Sequence, residues 1–469
     1  MYKRKSSRLL KTFVLAGTTA LALALPKFAS ADNLSDALIG AYKTSGLLEQ
    51  NRALLRVKDE NVAAAVAGLR PIVNWTIAAS TNNTQNVASG SPSVDQMKTS
   101  LTFGLLLFDG GATKLKQLAA QQVVLATRQS LLNFEQQVLF DAVEAYVNVL
   151  SQKETVRLQT NNLRLLQEEL KASQDRFEVG EVTRTDVALA QSRLASARAT
   201  LIQSRGDLLA AEASYIQAVG NPIGTAAGAP PLPKRVASLQ AAETIAARNH
   251  PSLLAQQHSV KAADYAIEAS RKGLGPKIEL GAEITASASF ANAGNTDSTG
   301  GSITYTQPIF AGGKLASALR SSIASRDAER GALISVQRSV AQAVAAAYVT
   351  LEAATASLVS SNESVRAAQV AFDGIREEAT LGARTTLDVL QAEQDLLNAS
   401  TARVQARASQ AIASYALLQS QGLLTAEHLG LAVEIYDPTL YYNLVKDAPA
   451  QVSQQSRDLD RVLRALGKN

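Results

Sequence analysis

The feature that most constrains this sequence is an internal repeat. The stretch from Arg176 to Ala197 (RFEVGEVTRTDVALAQSRLASA) returns 202 residues later, from Glu378 to Ala399 (EATLGARTTLDVLQAEQDLLNA). Both copies place a glycine, a threonine and an aspartate at matching positions: Gly180, Thr183 and Asp186 in the first copy, Gly382, Thr385 and Asp388 in the second. Glycine permits the positive φ that ends many helices, and Thr-x-x-Asp caps the start of the next helix. Each copy therefore predicts a helix, a tight turn and a returning helix.

The same offset extends over most of the chain, which indicates a fold built from two copies of one unit. Phe108-Asp109-Gly110-Gly111 matches Phe310-Ala311-Gly312-Gly313 at the same offset, and Pro71 matches Pro276 at an offset of 205. The predicted divisions are a first repeat at 32–220, a proline-rich extended linker at 221–236, a second repeat at 237–422, a mixed segment packed against the helices at 423–445, and a polar tail at 446–469, mobile or only partly helical.

Residues 1–31 have the pattern of a secretory signal peptide, so the mature chain is predicted to begin at Asp32. A basic start is followed by a short apolar run and by Ala29-Ser30-Ala31, a small-x-small cleavage site. The signal holds six of the 46 Lys and Arg residues, which leaves 40 basic against 41 acidic residues and removes the charge argument for nucleic-acid binding. The chain has no cysteine, so the sequence excludes disulfides and thiolate metal sites.

Two segments alternate with a period of two and predict β-hairpins, at 72–108 and 277–310. In the second, Ile278, Leu280, Ala282 and Ile284 alternate with a polar set that includes Lys277, Glu279 and Glu283. A strand with one apolar and one charged face suits a barrel wall whose charged face lines the lumen. A half-buried strand in a soluble sheet is the alternative. Polar loops are predicted between the strands, at 82–97 and 292–301.

Long intervals without proline predict very long helices. Ala112 to Glu178 is predicted as one helix of roughly 100 Å, and 33–69 as a helical segment before the first strand. Apolar and small residues from Val187 to Tyr215 recur at spacings of three and four, which predicts a coiled-coil seam. No run of about 20 apolar residues follows the signal, so no helical membrane span is expected.

No residue pattern predicts catalysis. His250, His258 and His428 lack metal-ligand spacing, and Gly312-Gly313-Lys314 lacks the upstream glycine of a phosphate-binding loop. Backbone geometry at a strand-to-helix transition is the better explanation of both double glycines. The sequence therefore predicts neither an enzyme nor a cofactor or metal site, and energy for any transport must come from a partner.

The signal peptide, the two hairpins and the repeated L-F-D/A-G-G and V/L-G-x-x-T-x-x-D-V motifs together resemble the TolC family of outer-membrane efflux proteins, over nearly all of Asp32 to Val445. The resemblance implies an α+β protein of the Gram-negative outer membrane. Three chains would give four strands each to a twelve-stranded, lipid-embedded β-barrel, continued by an antiparallel coiled-coil α-helical barrel in the periplasm. Such homotrimers are exit ducts for drugs, small toxic compounds or proteins. They work with a periplasmic adaptor and an inner-membrane transporter of the RND or ABC type.

The resemblance also assigns roles at the hairpin tips. Arg384 and Asp388, with Asp186 of the first tip, are expected at the periplasmic entrance that such channels hold shut. Gln391 stands where the family's best-known member has a second aspartate, so an acidic ring would be thinner here. Helix capping alone also explains an aspartate at position 388, with about 0.5–1 kcal/mol, and the two roles are compatible.

The turns at the two tips are expected to dock the adaptor's helical hairpin. The residues concerned are Gly180, Thr183, Gly382 and Thr385.

Two other classes of protein compete with the duct. A structural trimeric coiled-coil stalk, periplasmic or on the surface, explains the long helices but not two hairpins with apolar faces. A periplasmic adaptor would show one helical hairpin per chain and a lipoyl-like β-domain, and the sequence has neither.

Overall fold

The structure is a computed structural model that describes residues 33–82, 94–224, 228–289, 295–450 and 453–465. The predicted signal peptide lies outside the described residues, as do residues 83–93 of the first predicted hairpin loop and residues 292–294 of the second. Within the described part the chain forms ten α-helices and four β-strands. In chain order these are α1 (Leu34–Thr44), α2 (Gly46–Ala67), β1 (Ile72–Asn82), β2 (Val94–Phe108), α3 (Ala112–Glu178), α4 (Arg184–Val219), α5 (Leu239–Asn249), α6 (Pro251–Lys272), β3 (Lys277–Ser289), β4 (Thr296–Thr306), α7 (Lys314–Thr380), α8 (Thr386–Ser420), α9 (Pro438–Val445) and α10 (Gln454–Ala465).

The strands form one antiparallel sheet in the order β1-β2-β3-β4. Its register places Trp75 opposite Leu101, Leu101 opposite Ile284, and Leu280 opposite Ile303. Because side chains alternate between the faces of a sheet, one face is apolar and the other polar. The predicted alternation is confirmed in both hairpins.

Both predicted hairpin loops were too long. β2 already begins at Val94, and β4 begins at Thr296 inside the segment expected to be a loop. In β4, Gly300 pairs with Glu283 and Gly301 with Ala282, so the ladder continues through glycines that sequence rules assign to turns. Backbone pairing satisfies the peptide groups there whatever the side chains are.

The two long helices match the repeat. α3 has the predicted bounds, and α7 has the same length of 67 residues. Each starts at a glycine in the left-handed region, Gly111 at φ 89° and Gly313 at φ 82°. The double glycines therefore lie where a strand ends and a helix begins, as the sequence predicts.

The helices form a single layer with a definite order. α3 packs between α2 and α4 on one side and α6 and α8 on the other, and α7 packs on α6 and α8. α4 ends against the α1–α2 junction, where the Thr44 hydroxyl donates to the Val219 carbonyl at 2.9 Å. α8 ends in the same way against the α5–α6 junction, with Gly422 beside Asn249. Shorter helices thus stack end to end beside each long one.

The helical pattern at 33–69 is not one helix. It breaks at Ser45, whose φ and ψ of −64° and 112° are extended and whose hydroxyl accepts from the Leu48 amide at 3.3 Å. The apolar spacing continues on both sides of Ser45, so the periodicity does not reveal this break. Serine is a favoured N-cap residue and does not interrupt that spacing. The break creates the surface on which the end of α4 rests.

The segment 423–445 is anchored to the helices by aromatic and charged groups. The Arg52 guanidinium lies 5.1 Å from the ring centres of both Tyr42 and Tyr436. The Ala426 amide donates to the Glu135 carboxylate at 2.7 Å, and Ala426 itself is fully buried. Cation–π contacts and a buried hydrogen bond therefore join this segment to the first repeat.

The tail differs from a freely mobile segment, since 454–465 form α10. Leu459 of this helix is buried against Ala63 of α2 and Val445 of α9. Arg70, at the start of the first hairpin, donates to the carbonyls of Asp447 and Ala448. The end of the described chain is therefore tied to the region where helices give way to the sheet.

One helix in the described residues is long and apolar enough to cross a membrane by length and composition, which the sequence analysis did not expect. It is α7, and only 11% of its most apolar window is buried in the single chain. At 67 residues α7 is about 100 Å long, over three times the thickness of a bilayer core. Its alanine-rich middle is part of the helical layer, with one face uncovered.

Candidate functional site

The chain forms two helical hairpins, α3–α4 and α7–α8, whose tips have the same backbone geometry. At the first tip Gly180 has φ 82°, and the Glu181 amide donates to the Arg176 carbonyl at 2.9 Å. At the second, Gly382 has φ 77°, and the Ala383 amide donates to the Glu378 carbonyl, also at 2.9 Å. These bonds satisfy the last carbonyls of α3 and α7.

Each returning helix begins with the predicted capping box. The Asp186 amide donates to the Thr183 hydroxyl at 3.3 Å, and the Thr183 amide donates to Asp186 Oδ2 at 2.9 Å. Thr385 and Asp388 repeat these two distances. All four residues are therefore committed to helix capping in the single chain.

The capping bonds fix the charge of both aspartates. Hydrogen bonds from the Thr385 amide and hydroxyl hold the pKa of Asp388 below its ordinary value, and Arg384 acts in the same direction. Bonds from the Thr183 hydroxyl and amide lower the pKa of Asp186 in the same way. Both carboxylates are ionised at neutral pH and partly exposed at the tips.

The family resemblance places Arg384 and Asp388 together at the entrance, but the structure pairs Arg384 with a different acid. Its Nε donates to Glu378 Oε2 at 2.7 Å, across the turn, and both side chains are about half exposed. Sequence reasoning missed Glu378, because a contact six residues apart around a turn leaves no periodic signal. An exposed pair of this kind is worth little energy, so Arg384 is free to exchange partners.

The tips also expose large apolar side chains. Val179 is 72% exposed and Leu381 is 85% exposed, and they occupy equivalent positions just before Gly180 and Gly382. Phe177 is 45% exposed at the first tip, whereas the second tip has Ala379 at that position. Such exposure of large apolar groups at a tip indicates a surface for another protein.

The charged residues of the second hairpin share the polar face of the sheet. Lys277 Nζ lies 2.5 Å from Glu279 Oε1, and Lys98 Nζ of β2 lies 3.5 Å from Glu283 Oε1. Glu283 stands opposite Thr102, so the two strands contribute to one face. Lys277, Glu279 and Glu283 therefore lie together on the polar face of the sheet.

The sheet and the helical layer each end in two uncovered edges. β1 and β4 are the sheet edges, and every residue of β4 is exposed. The helical layer is bounded on one side by α2 and α4 of the first repeat and on the other side by α7 of the second repeat. Both edges carry exposed apolar side chains: Ile202, Leu209 and Ile216 on α4, and Ile334, Val349, Val359 and Val370 on α7. An edge of this kind pairs with another chain.

Within the described residues, no cluster of three or more acidic or histidine side chains could hold a metal ion in the single chain.

Comparison with known proteins agrees with this architecture. The family model described as outer membrane efflux protein matches residues 41–221 and 244–423. The outer membrane efflux protein BepC of Brucella suis biovar 1 is 37% identical over 94% of both chains, and the outer membrane protein TolC of Escherichia coli K12 is 24% identical over 68% of both. The Campylobacter jejuni CmeC outer membrane channel has the same fold, with a TM-score of 0.72, 15% identity, and coverage of 92% of this chain and 89% of that one. The chain therefore belongs to the family of outer membrane efflux proteins.

Proposed function

We propose that three copies of this outer-membrane efflux protein close one cylinder, in which a twelve-stranded barrel and a helical tunnel share a single bore. The observation that carries the proposal is the matched pair of open edges. The first repeat supplies one edge of both layers, β1 and α2 with α4, and the second repeat supplies the other, β4 and α7. One rotation of a neighbouring chain thus covers both edges, and repeating the rotation closes a ring.

Ion conductance in a planar lipid bilayer tests the duct directly. We expect the purified protein to insert and to give stepwise conductance increases. A coiled-coil stalk without a lumen explains the same helices, and intact trimers that insert without conducting would favour it over the duct.

The energy for export comes from partners under this proposal. The sequence carries no phosphate-binding loop, so the energy must come from another protein. We propose an inner-membrane transporter of the RND or ABC type and a periplasmic adaptor, which are the partners that the family resemblance implies. The relative BepC is named for efflux, without a stated cargo. We propose drugs and small toxic compounds as the cargo of this protein.

We further propose that the second tips form the closed periplasmic entrance. Threefold symmetry would bring three ionised Asp388 side chains toward one axis, where their repulsion is relieved by a bound cation or by Arg384 of a neighbour. The exposed Glu378–Arg384 pair supplies a guanidinium that can change partners at little cost.

Asp388→Ala should weaken block of the channel by multivalent cations added on the periplasmic side, by about tenfold, roughly 1.4 kcal/mol. Removal of three carboxylates from the axis is the physical reason. Single-channel recording at several cation concentrations measures the effect. Asp36→Ala removes the acid of the same kind of capping box at the start of α1, away from the tips, and is the matched control. Equal changes in both variants would assign the effect to capping, and unchanged block in Asp388→Ala would remove this residue from the entrance.

The tips are also the proposed docking site for the adaptor. Val179 and Leu381 project as exposed apolar groups beside the polar caps Thr183 and Thr385, a pattern suited to packing against the end of a helical hairpin.

Gly382→Pro, and likewise Gly180→Pro, should abolish export while leaving the trimer intact. Proline is locked near φ −65° and cannot adopt the φ of 77° or 82° at these turns, so each tip must change shape. Drug resistance in cells and trimer content in the outer membrane are the two measurements. Gly46→Pro is the control, because Gly46 is the first residue of α2, where proline is favoured. Normal resistance in both tip variants would contradict docking at the tips.

A further inference from the structure

A buried acid lies near the second tip and is separate from Arg384 and Asp388. Glu393 is in α8, seven residues or about 10 Å from the helix start at Thr386. Its side chain is only 5% exposed, and its Oε1 atom has no hydrogen-bond partner. An ionised carboxylate in such a place loses its hydration without compensation. The position of Glu393 is therefore stable mainly when the acid carries a proton.

Glu393 lies where the two helical hairpins meet. On one side of α8, Leu390 packs against Leu166 of α3 and against Leu194 and Ala197 of α4. On the other side, Val389 and Ala392 pack against Phe372 of α7. We call the contact of Leu390 with the first hairpin the seam. The second hairpin cannot move away from the first without opening the seam and wetting Glu393.

Three charged groups from the surrounding helices face this acid. Glu169 of α3 opposes ionisation, and Arg376 of α7 favours it. Arg193 of α4 lines a cavity of about 500 Å³ that Glu393 also borders. Burial, reinforced by Glu169 and opposed by Arg376, raises the pKa of Glu393 to about 7.

We propose that Glu393 is a proton-binding switch: the protonated side chain lets the seam close, and the ionised side chain loosens it. The inference deepens the proposed entrance and depends on it for the conductance measurement. Once the seam opens, water solvates Glu393 and its pKa returns to the ordinary value near 4.5. Closing therefore takes up a proton between about pH 4.5 and 7. The population of the closed form relative to the open form increases as the pH falls through 7. The full gain is about 300-fold in the closed-to-open ratio per chain.

The exposed acids of the tips do not titrate in this range. The pKa values of Asp388 and Asp186 lie below the ordinary value for aspartate, so both stay ionised from pH 5.5 to 8.5. A conductance change in that interval that disappears on substitution of Glu393 is therefore specific to the seam.

Channel opening as a function of pH tests the switch. The mean conductance of the wild type should rise between pH 5.5 and 8.5, whereas Glu393→Gln, which imitates the protonated acid, should stay at the low-pH value throughout. Glu169→Gln should move the midpoint of the wild-type curve to lower pH, and Arg376→Gln should move it to higher pH. Glu168→Gln removes an exposed charge beside Glu169 and should leave the midpoint unchanged. Identical pH curves for the wild type and Glu393→Gln would overturn the proposal.

A distance measurement separates failure of the switch from failure of the duct. Because the chain has no cysteine, Val179→Cys and Leu381→Cys place one spin label on each exposed tip without side reactions. Pulsed electron paramagnetic resonance should show longer tip-to-tip distances at pH 8.5 than at pH 5.5 in the wild-type background and no change with Glu393→Gln. Trimers that never conduct but show this distance change would refute the duct alone. Distances that do not respond to pH in either background would refute the switch.

Discussion

Gly422→Ala is expected to lower the free energy of unfolding of each chain by about 2 to 5 kcal/mol. Gly422 has φ 79°, and a Cβ atom there would lie 2.7 Å from the Asn249 carbonyl oxygen and 2.7 Å from His250 Cα. Both neighbours are backbone atoms at the α5–α6 junction, so neither can turn aside. The end of α8 would have to move away from α6, and the stacked column beside the long helices would break. Thermal dissociation of the purified trimer in detergent measures the loss.

The equivalent joint of the first repeat is a parallel test. At Gly220 the Cβ atom would lie 2.5 Å from Thr44 Oγ1 and 2.7 Å from Thr44 Cβ, and rotation of the Thr44 side chain moves Oγ1 but leaves its Cβ in place. Gly220 also has a φ of 84°, so Gly220→Ala should cost about as much as Gly422→Ala. Gly46→Ala is the control, since open space surrounds that position at the start of α2. A Gly422→Ala variant as stable as the Gly46→Ala variant would show that the helices do not stack end to end there.

Leu209→Glu should eliminate the trimer. Leu209 is 67% exposed in the single chain. With Ile202 and Ile216 it forms a stripe of apolar side chains, one every seven residues, that faces away from α3. In the proposed ring, this stripe is buried against the α7 edge of a neighbouring chain. Three unpaired carboxylates would enter three apolar interfaces, each costing several kcal/mol. Size-exclusion chromatography in detergent gives the oligomeric state.

Ala210→Glu is the matched control for this effect. It introduces the same charge one residue further along α4, at an exposed position about 100° around the helix. Trimers should survive this change. If Leu209→Glu assembles as well as Ala210→Glu, the α4 stripe does not form the interface between chains.

Local signals explain why so much of the fold follows from the sequence. The tips were predictable because Gly180 and Gly382 need a positive φ and because Thr-x-x-Asp caps a helix wherever it occurs. The faces of the sheet were predictable because side chains alternate at every residue, so Lys277, Glu279 and Glu283 share a face in any register of that strand.

The contacts that the sequence did not predict join residues far apart or lack a period. The bond between Arg384 and Glu378 depends on the path of the turn, and the break at Ser45 interrupts no apolar spacing. Glu393 looks like an ordinary polar residue of α8, and only the packing of Leu390 against the first hairpin makes it a buried acid. Burial where α8 meets α3, α4 and α7 is a tertiary property, and no window along one helix reports it.

The most direct test of the assembly is the native mass of the purified, detergent-solubilised protein. The proposed ring is a particle of three chains, resistant to mild SDS and separated into single chains by heat. A monodisperse, water-soluble single chain that needs no detergent would contradict the ring, and with it the barrel and the duct.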